Sequence, residues 1–159
     1  MESNKDYFDV IIVDLPDPKS VELGRLYSYE FYKLCSRHLR PNGVLVTQSG
    51  SPYFATRAFL CINKTMQKAG FSTVPLHNQV LTLGEWGWVL GVKNTGVKNL
   101  KQQLQQIKIK VPTKWINSEA MLLITSFGKD FYPWQKDTIE VNRIHNPVLY
   151  NGKQSTAVA

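Results

Sequence analysis

The most restrictive feature of this chain is an order of elements. Between Tyr7 and Gly70 a β-branched run, a helical period, a second β-branched run and a second helical period follow one another with short turns between them. Tyr7 to Val13 (YFDVIIV) is apolar without clean alternation, the pattern of a strand covered on both faces. Ser28 is placed to cap a helix whose apolar positions Phe31, Leu34, Cys35 and Leu39 follow the 3.6-residue period, with Pro41-Asn42-Gly43 as its stop. Gly43 to Gln48 predicts a second buried strand and Ser49-Gly50-Ser51-Pro52 a turn. Ala58, Phe59, Ile62, Met66 and Ala69 then predict a helix closed by Gly70. A βαβα order with short connections implies right-handed crossovers and a parallel sheet carrying helices on its faces.

Two further strands are expected at Phe71 to Val80 and Trp86 to Val92, paired antiparallel through a turn at Thr82-Leu83-Gly84-Glu85, although Pro75 interrupts the first. Val97, Leu100, Leu104 and Ile107 have helical spacing, whereas Ile107, Ile109 and Val111 alternate like a strand, so both assignments stand there. Ser118 with Glu119 opens a short helix through about Thr125. Residues 1–150 read as one domain, and the small, polar residues 151–159 as a frayed tail.

Composition narrows the function classes. The longest apolar runs, such as Val10 to Val13, are far shorter than the roughly 18 residues of a membrane span, and Met1 to Asp9 has no apolar secretory core. Cys35 and Cys61 fall in helical patterns without ligand spacing, and His38, His77 and His145 in no ligand pattern. The expectation is a cytoplasmic protein with two core thiols, no metal site and structural or surface histidines. The net charge of +7 is uneven: residues 1–79 hold nine Lys/Arg against seven Asp/Glu, and residues 80–159 hold ten against five. Lys93 to Lys114 contains six lysines and no acid, but also no Arg or aromatic residue to stack on a base, so it reads as a solvated face and not a nucleic-acid site.

The residues that suggest chemistry lie where the first strand stops. Asp14-Leu15-Pro16-Asp17-Pro18 breaks the ladder at the carboxyl end of a buried strand, the rim on which open α/β sheets bind ligands. Pro16 and Pro18 restrict the backbone about Asp17, so the loop presents two carboxylates to one small space. Gln48 ends the second strand, and the hairpin turn carries Glu85 between Gly84 and Trp86; sheet pairing would bring these to the same rim. A plainer reading stands beside this one. Asp14 then caps the next turn, Asp17 is solvated, Gln48 is a satisfied amide, and Trp86 and Trp88 pack in the core.

Four stretches, YFDVIIVDLPDP (Tyr7 to Pro18), LYSYEFY (Leu26 to Tyr32), GVLVTQSGSPY (Gly43 to Tyr53) and GEWGWVL (Gly84 to Leu90), resemble in order the C-terminal part of the spermidine synthase family. The likeness is greatest to the branch in which the synthase domain follows a membrane-embedded region, and Val141-Asn142-Arg143 through Asn146-Pro147-Val148-Leu149 also resembles that branch's ending. The resemblance implies a partial Rossmann-like, methyltransferase-type α/β sheet with helices on both faces, lacking the first nucleotide-binding strands. It implies transfer of an aminopropyl group from decarboxylated S-adenosylmethionine, a co-substrate and not a resident cofactor, to an amine such as putrescine. Asp14 resembles the general base and, with Leu15, part of the nucleoside contact; Asp17, Gln48, Glu85 and Trp86 would serve the amine.

The sequence departs from that family in two places. No Gly-rich turn follows a first strand, and no acidic residue ends a second to hold a ribose; Gly91 to Gly96 lacks the Gly-x-Gly-x-x-Gly spacing. Soluble members place a substrate-contacting tyrosine just before the later hairpin turn, where Val80 and Leu81 stand here. A sheet lacking its first strands would leave Tyr7 to Val13 as an apolar edge free of Pro and Lys, available to a second copy or to a separate N-terminal half. The alternatives are a non-catalytic binding or interaction module of the same fold and an amino-group methyltransferase; against the latter, Asp17 stands where such a turn carries an aromatic ring.

Overall fold

The computed structural model describes residues 6–94, 96–132 and 138–149. The expected tail at 151–159 lies outside them. Four strands, β1 (Phe8–Val13), β2 (Leu39–Gly50), β3 (Ser72–Val80) and β4 (Gly84–Val92), form one mixed sheet in the order β1-β2-β4-β3. β1 and β2 run parallel; β4 is antiparallel to both of its neighbours. The parallel pairing expected of the first crossover and the antiparallel hairpin expected of the last two strands are both present, and together they make the sheet mixed. Pro75 is accommodated because β3 is an edge strand, where a missing N–H costs no ladder bond on the free side.

Helices α1 (Val21–Arg25) and α2 (Tyr29–His38) lie in the first crossover, and α3 (Thr56–Lys68) follows β2. The Ser28 hydroxyl accepts from Phe31 N at 3.2 Å, the cap expected for α2. Ser20 does the same for α1, a single turn whose five residues are too few to show a period. α3 packs on one face of the sheet so closely that a side chain on β4 there would collide with it. A Cβ on Gly87 would sit 2.5 Å from the Phe59 ring, and one on Gly91 2.7 Å from the end of Met66. Tyr27, Tyr32, Cys35, Leu45, Ile62, Met66 and Val89 fill the core beneath. Burial pushes the Cys35 thiol up to about 12 and the Cys61 thiol up to about 11, so both are inert core filler.

Several boundaries differ from the sequence expectation. α2 stops at His38, and Pro41-Asn42-Gly43 belongs to the start of β2. The ladder skips from the Phe8–Leu39 pair to the Val10–Val44 pair, and Asn42 takes the left-handed φ of 61° that lets the chain bulge. β4 begins at Gly84, two residues early, so Glu85 is a strand residue and not part of the turn. Residues 107–111 form no strand; the helical reading survives only as α4 (Leu100–Gln105). α5 (Ser118–Ile124) is capped by Asn117, whose side-chain Oδ1 accepts from Ala120 N, and not by Ser118. β1 is not covered on both faces: Ile11 and Val13 are buried, but Val10 is 57% and Ile12 74% exposed, because α2 and α3 cover only one side of it.

Candidate active site

The DLPDP loop leaves the carboxyl end of β1 and is fastened from below. Tyr27, fully buried just ahead of α2, directs its hydroxyl at the carbonyls of Leu15 (2.9 Å) and Pro16 (3.1 Å). Burial pushes this phenol up to about 12; a hydrogen bond with Gln48 acts the other way, and the negative charges of Asp17 and Asp14 add to the rise. Tyr27 thus remains a neutral donor beneath the loop.

Gln48, 6% exposed near the end of β2, is the hub. Its Nε2 donates to Leu15 O at 2.7 Å, to Asp17 Oδ1 at 3.1 Å and toward the Tyr27 hydroxyl at 3.3 Å. Its Oε1 accepts from Gly50 N at 3.0 Å and from the Trp86 indole N–H at 2.9 Å. Acceptors surround one end of the amide and donors the other, so only this orientation satisfies the network. Gly50 adopts a φ of +70°, and a Cβ there would lie 3.8 Å from Asp17 Oδ1. That distance is an ordinary contact, so it is the backbone turn, and not crowding, that calls for a glycine here.

The network joins Asp17, Gln48 and Trp86, as the strand order suggested. Asp14 is exposed at the strand end and, among the described residues, makes no hydrogen bond or ion pair, so its carboxylate is free to accept from a ligand. Leu15 is engaged through its carbonyl, and its side chain leans on the core. Glu85 is drawn elsewhere: its carboxylate meets His77 Nδ1 across the β3–β4 hairpin. Tyr27, Gly50 and His77 escape the sequence reading. For Tyr27 a signal existed in its place immediately before the Ser28 cap; for His77 there was none.

The site is an open rim. It carries two carboxylates about one free face in a chain of net charge +7, and local acids must supply any attraction for a cation. A groove of about 460 Å³ lies elsewhere, between β3 and the start of α4, lined by Phe71, Thr73, Leu100 and Lys101 among others, and does not reach Asp14 or Asp17. Among the described residues no group of three His, Cys, Asp or Glu could hold a metal, and no helix is long and apolar enough to cross a membrane.

This geometry stands in a recognised sequence context. Residues 1–104 match the profile of the spermine/spermidine synthase domain. The chain belongs to that family. It is 36% identical over 149 residues to polyamine aminopropyltransferase 2 of Ralstonia nicotianae, covering 94% of this chain and 28% of the relative. It is 36% identical over 130 residues to the polyamine aminopropyltransferase of Oceanobacillus iheyensis, covering 82% of this chain and 24% of that one. Against the Mycobacterium tuberculosis polyamine aminopropyltransferase identity rises to 51% over 83 residues, or 52% of this chain and 16% of the relative. The fold is that of a spermidine synthase from Thermotoga maritima, with a TM-score of 0.60 and 24% identity over 78% of this chain and 42% of that one. This spermidine synthase family member therefore spans well under a third of the length of these curated relatives, and its partial Rossmann-like α/β fold is the family's.

Proposed function

We propose that this chain carries the amine-binding, proton-accepting half of an aminopropyltransferase site, with decarboxylated S-adenosylmethionine as co-substrate and a diamine such as putrescine as acceptor. The observation that carries this reading is the loop in which Gln48 and Tyr27 hold Asp17 and the adjacent backbone while Asp14 stays unengaged. A primary amine, with a reference pKa near roughly 10.4, is almost wholly protonated at neutral pH, so it binds to carboxylates but cannot attack until one takes its proton. In the reading proposed, Asp17 holds the distal ammonium and Asp14 accepts the proton of the attacking nitrogen. The nitrogen lone pair forms a bond to the aminopropyl carbon next to the sulfonium, and the carbon–sulfur bond breaks. Sulfur keeps that electron pair and leaves as the thioether methylthioadenosine. A spermidine synthase of this fold has been solved in complex with the transition-state analogue AdoDATO, which supports placing the reaction on this fold.

The nucleoside is assigned to a second half. β1 is an edge strand, and its outward side chains Val10 and Ile12 continue an apolar sheet surface. The much greater length of the relatives supports completion of that edge by further strands with a Gly-rich turn, in the same chain or a separate one. A second copy pairing through β1 is the alternative.

The test is putrescine-dependent release of methylthioadenosine by residues 1–159 joined to the preceding portion of the Ralstonia nicotianae relative. Release from the joined protein and none from either part is expected. Release by this chain alone overturns the half-site. No release from a joined protein that binds both ligands by calorimetry overturns the reaction and leaves a non-catalytic binding module.

A further inference from the structure

His77 is absorbed by none of this, yet it is held more tightly than a surface histidine. It lies on β3 with 9% exposure, opposite Gly87 in the β3–β4 ladder. Its Nδ1 meets a Glu85 carboxylate oxygen of β4, and its Nε2 meets the Ser126 carbonyl just after α5. The ring also lies 4.4 Å from that of Phe127, tilted at 47° to it, and meets Tyr53 edge-on at 6.1 Å. Among the described residues, the titratable groups facing it are therefore Glu85 from β4 and Tyr53 from the segment before α3; the segment after α5 contributes a carbonyl and an apolar ring.

Both nitrogens face oxygens that can accept, so with Glu85 ionised both contacts are hydrogen bonds only when the ring carries two protons. A singly protonated ring would set a nitrogen lone pair against an oxygen lone pair in a largely desolvated place. Glu85 is followed at once by Trp86, whose indole N–H holds Gln48, which in turn holds Asp17. We propose that His77 is a positioning residue for the acidic rim: its doubly protonated ring clasps Glu85 and the segment after α5, fixing Trp86 and through it the Gln48–Asp17 contact. Loss of a ring proton releases the clasp.

This inference rests on reading the rim as the amine site, but its test needs no turnover, so the two can fail separately. The chain is labelled with nitrogen-15, and the Trp86 indole N–H, assigned with Trp86→Phe, is followed beside the His77 ring nitrogens from about pH 5 to about pH 9. The expected result is a Trp86 signal that shifts with the His77 protonation step, if that step falls in the range. In Glu85→Gln the amide can either donate or accept, so reversal of the contact no longer disturbs the hairpin and the Trp86 step is lost. If the ring keeps both protons throughout, His77→Gln must displace the Trp86 signal for the proposal to stand. A ring with one proton at every pH, or a Trp86 signal indifferent to His77 protonation and to His77→Gln, overturns it.

Discussion

The side-chain nitrogen of Gln48 lies 2.7 Å from the carbonyl oxygen of Leu15, a residue 33 positions earlier, and this contact ties the end of β2 to the loop that ends β1. The same amide reaches Asp17 and Trp86, so one side chain sets the shape of the rim. Replacing it with Leu leaves the Leu15 carbonyl with Tyr27 alone and the Trp86 N–H with nothing. Gln48→Leu is expected to cost about 1–3 kcal/mol of unfolding free energy and to speed amide exchange at Leu15 and Asp17. Unchanged exchange there would show that Tyr27 alone holds the loop.

The two β4 glycines under α3 should differ. At Gly87 a new methyl meets the Phe59 ring and the Gly50 carbonyl, and at Gly91 it meets chiefly the movable end of Met66. Gly87→Ala should lower stability by about 1–3 kcal/mol, and Gly91→Ala by clearly less, in denaturant titrations. Equal losses would mean that α3 can lift off β4 as a unit.

Tyr27 makes a prediction about alkaline pH. Its phenol rises from 10.0 to about 12 on folding, first through burial. The unfolded chain releases that proton earlier than the folded one. The stability contributed by the neutral phenol is thus fully present below about pH 10 and lost as pH rises toward 12. The stability difference between the wild type and Tyr27→Phe should be flat to about pH 9 and shrink above pH 10. A difference that stays constant up to about pH 11 contradicts the assignment.

The edge strand offers a test by association. With Ile12 74% exposed on β1, the isolated chain should self-associate in size-exclusion chromatography with light scattering. Ile12→Lys should shift it toward monomer without changing the unfolding midpoint. A clean wild-type monomer would count against β1 as an interface.

Most of the layout was legible because the period of apolar residues, caps and turn glycines are local signals. Ser28 and Gly70 mark helix ends in both sequence and structure, and the hairpin about Gly84 follows from its turn residues. What escaped was set by neighbours in space. The exposure of Val10 and Ile12 depends on what covers the sheet. The bulge at Asn42 depends on register with β1, and the diversion of Glu85 to His77 depends on a ladder pairing across the hairpin. The acidic loop was visible as two carboxylates in a Pro-rich turn; that Gln48 and Tyr27 hold it became visible only once the two strand ends were side by side.

The central claim is that Asp14 takes the proton of the attacking amine, and turnover of the joined protein with Asp14→Asn tests it most directly. The amide keeps the shape of an exposed side chain without internal partners. The account predicts at least about a 100-fold fall in kcat for methylthioadenosine release, with putrescine still bound and the unfolding midpoint unchanged. A variant that turns over within a few-fold of the wild type would contradict it.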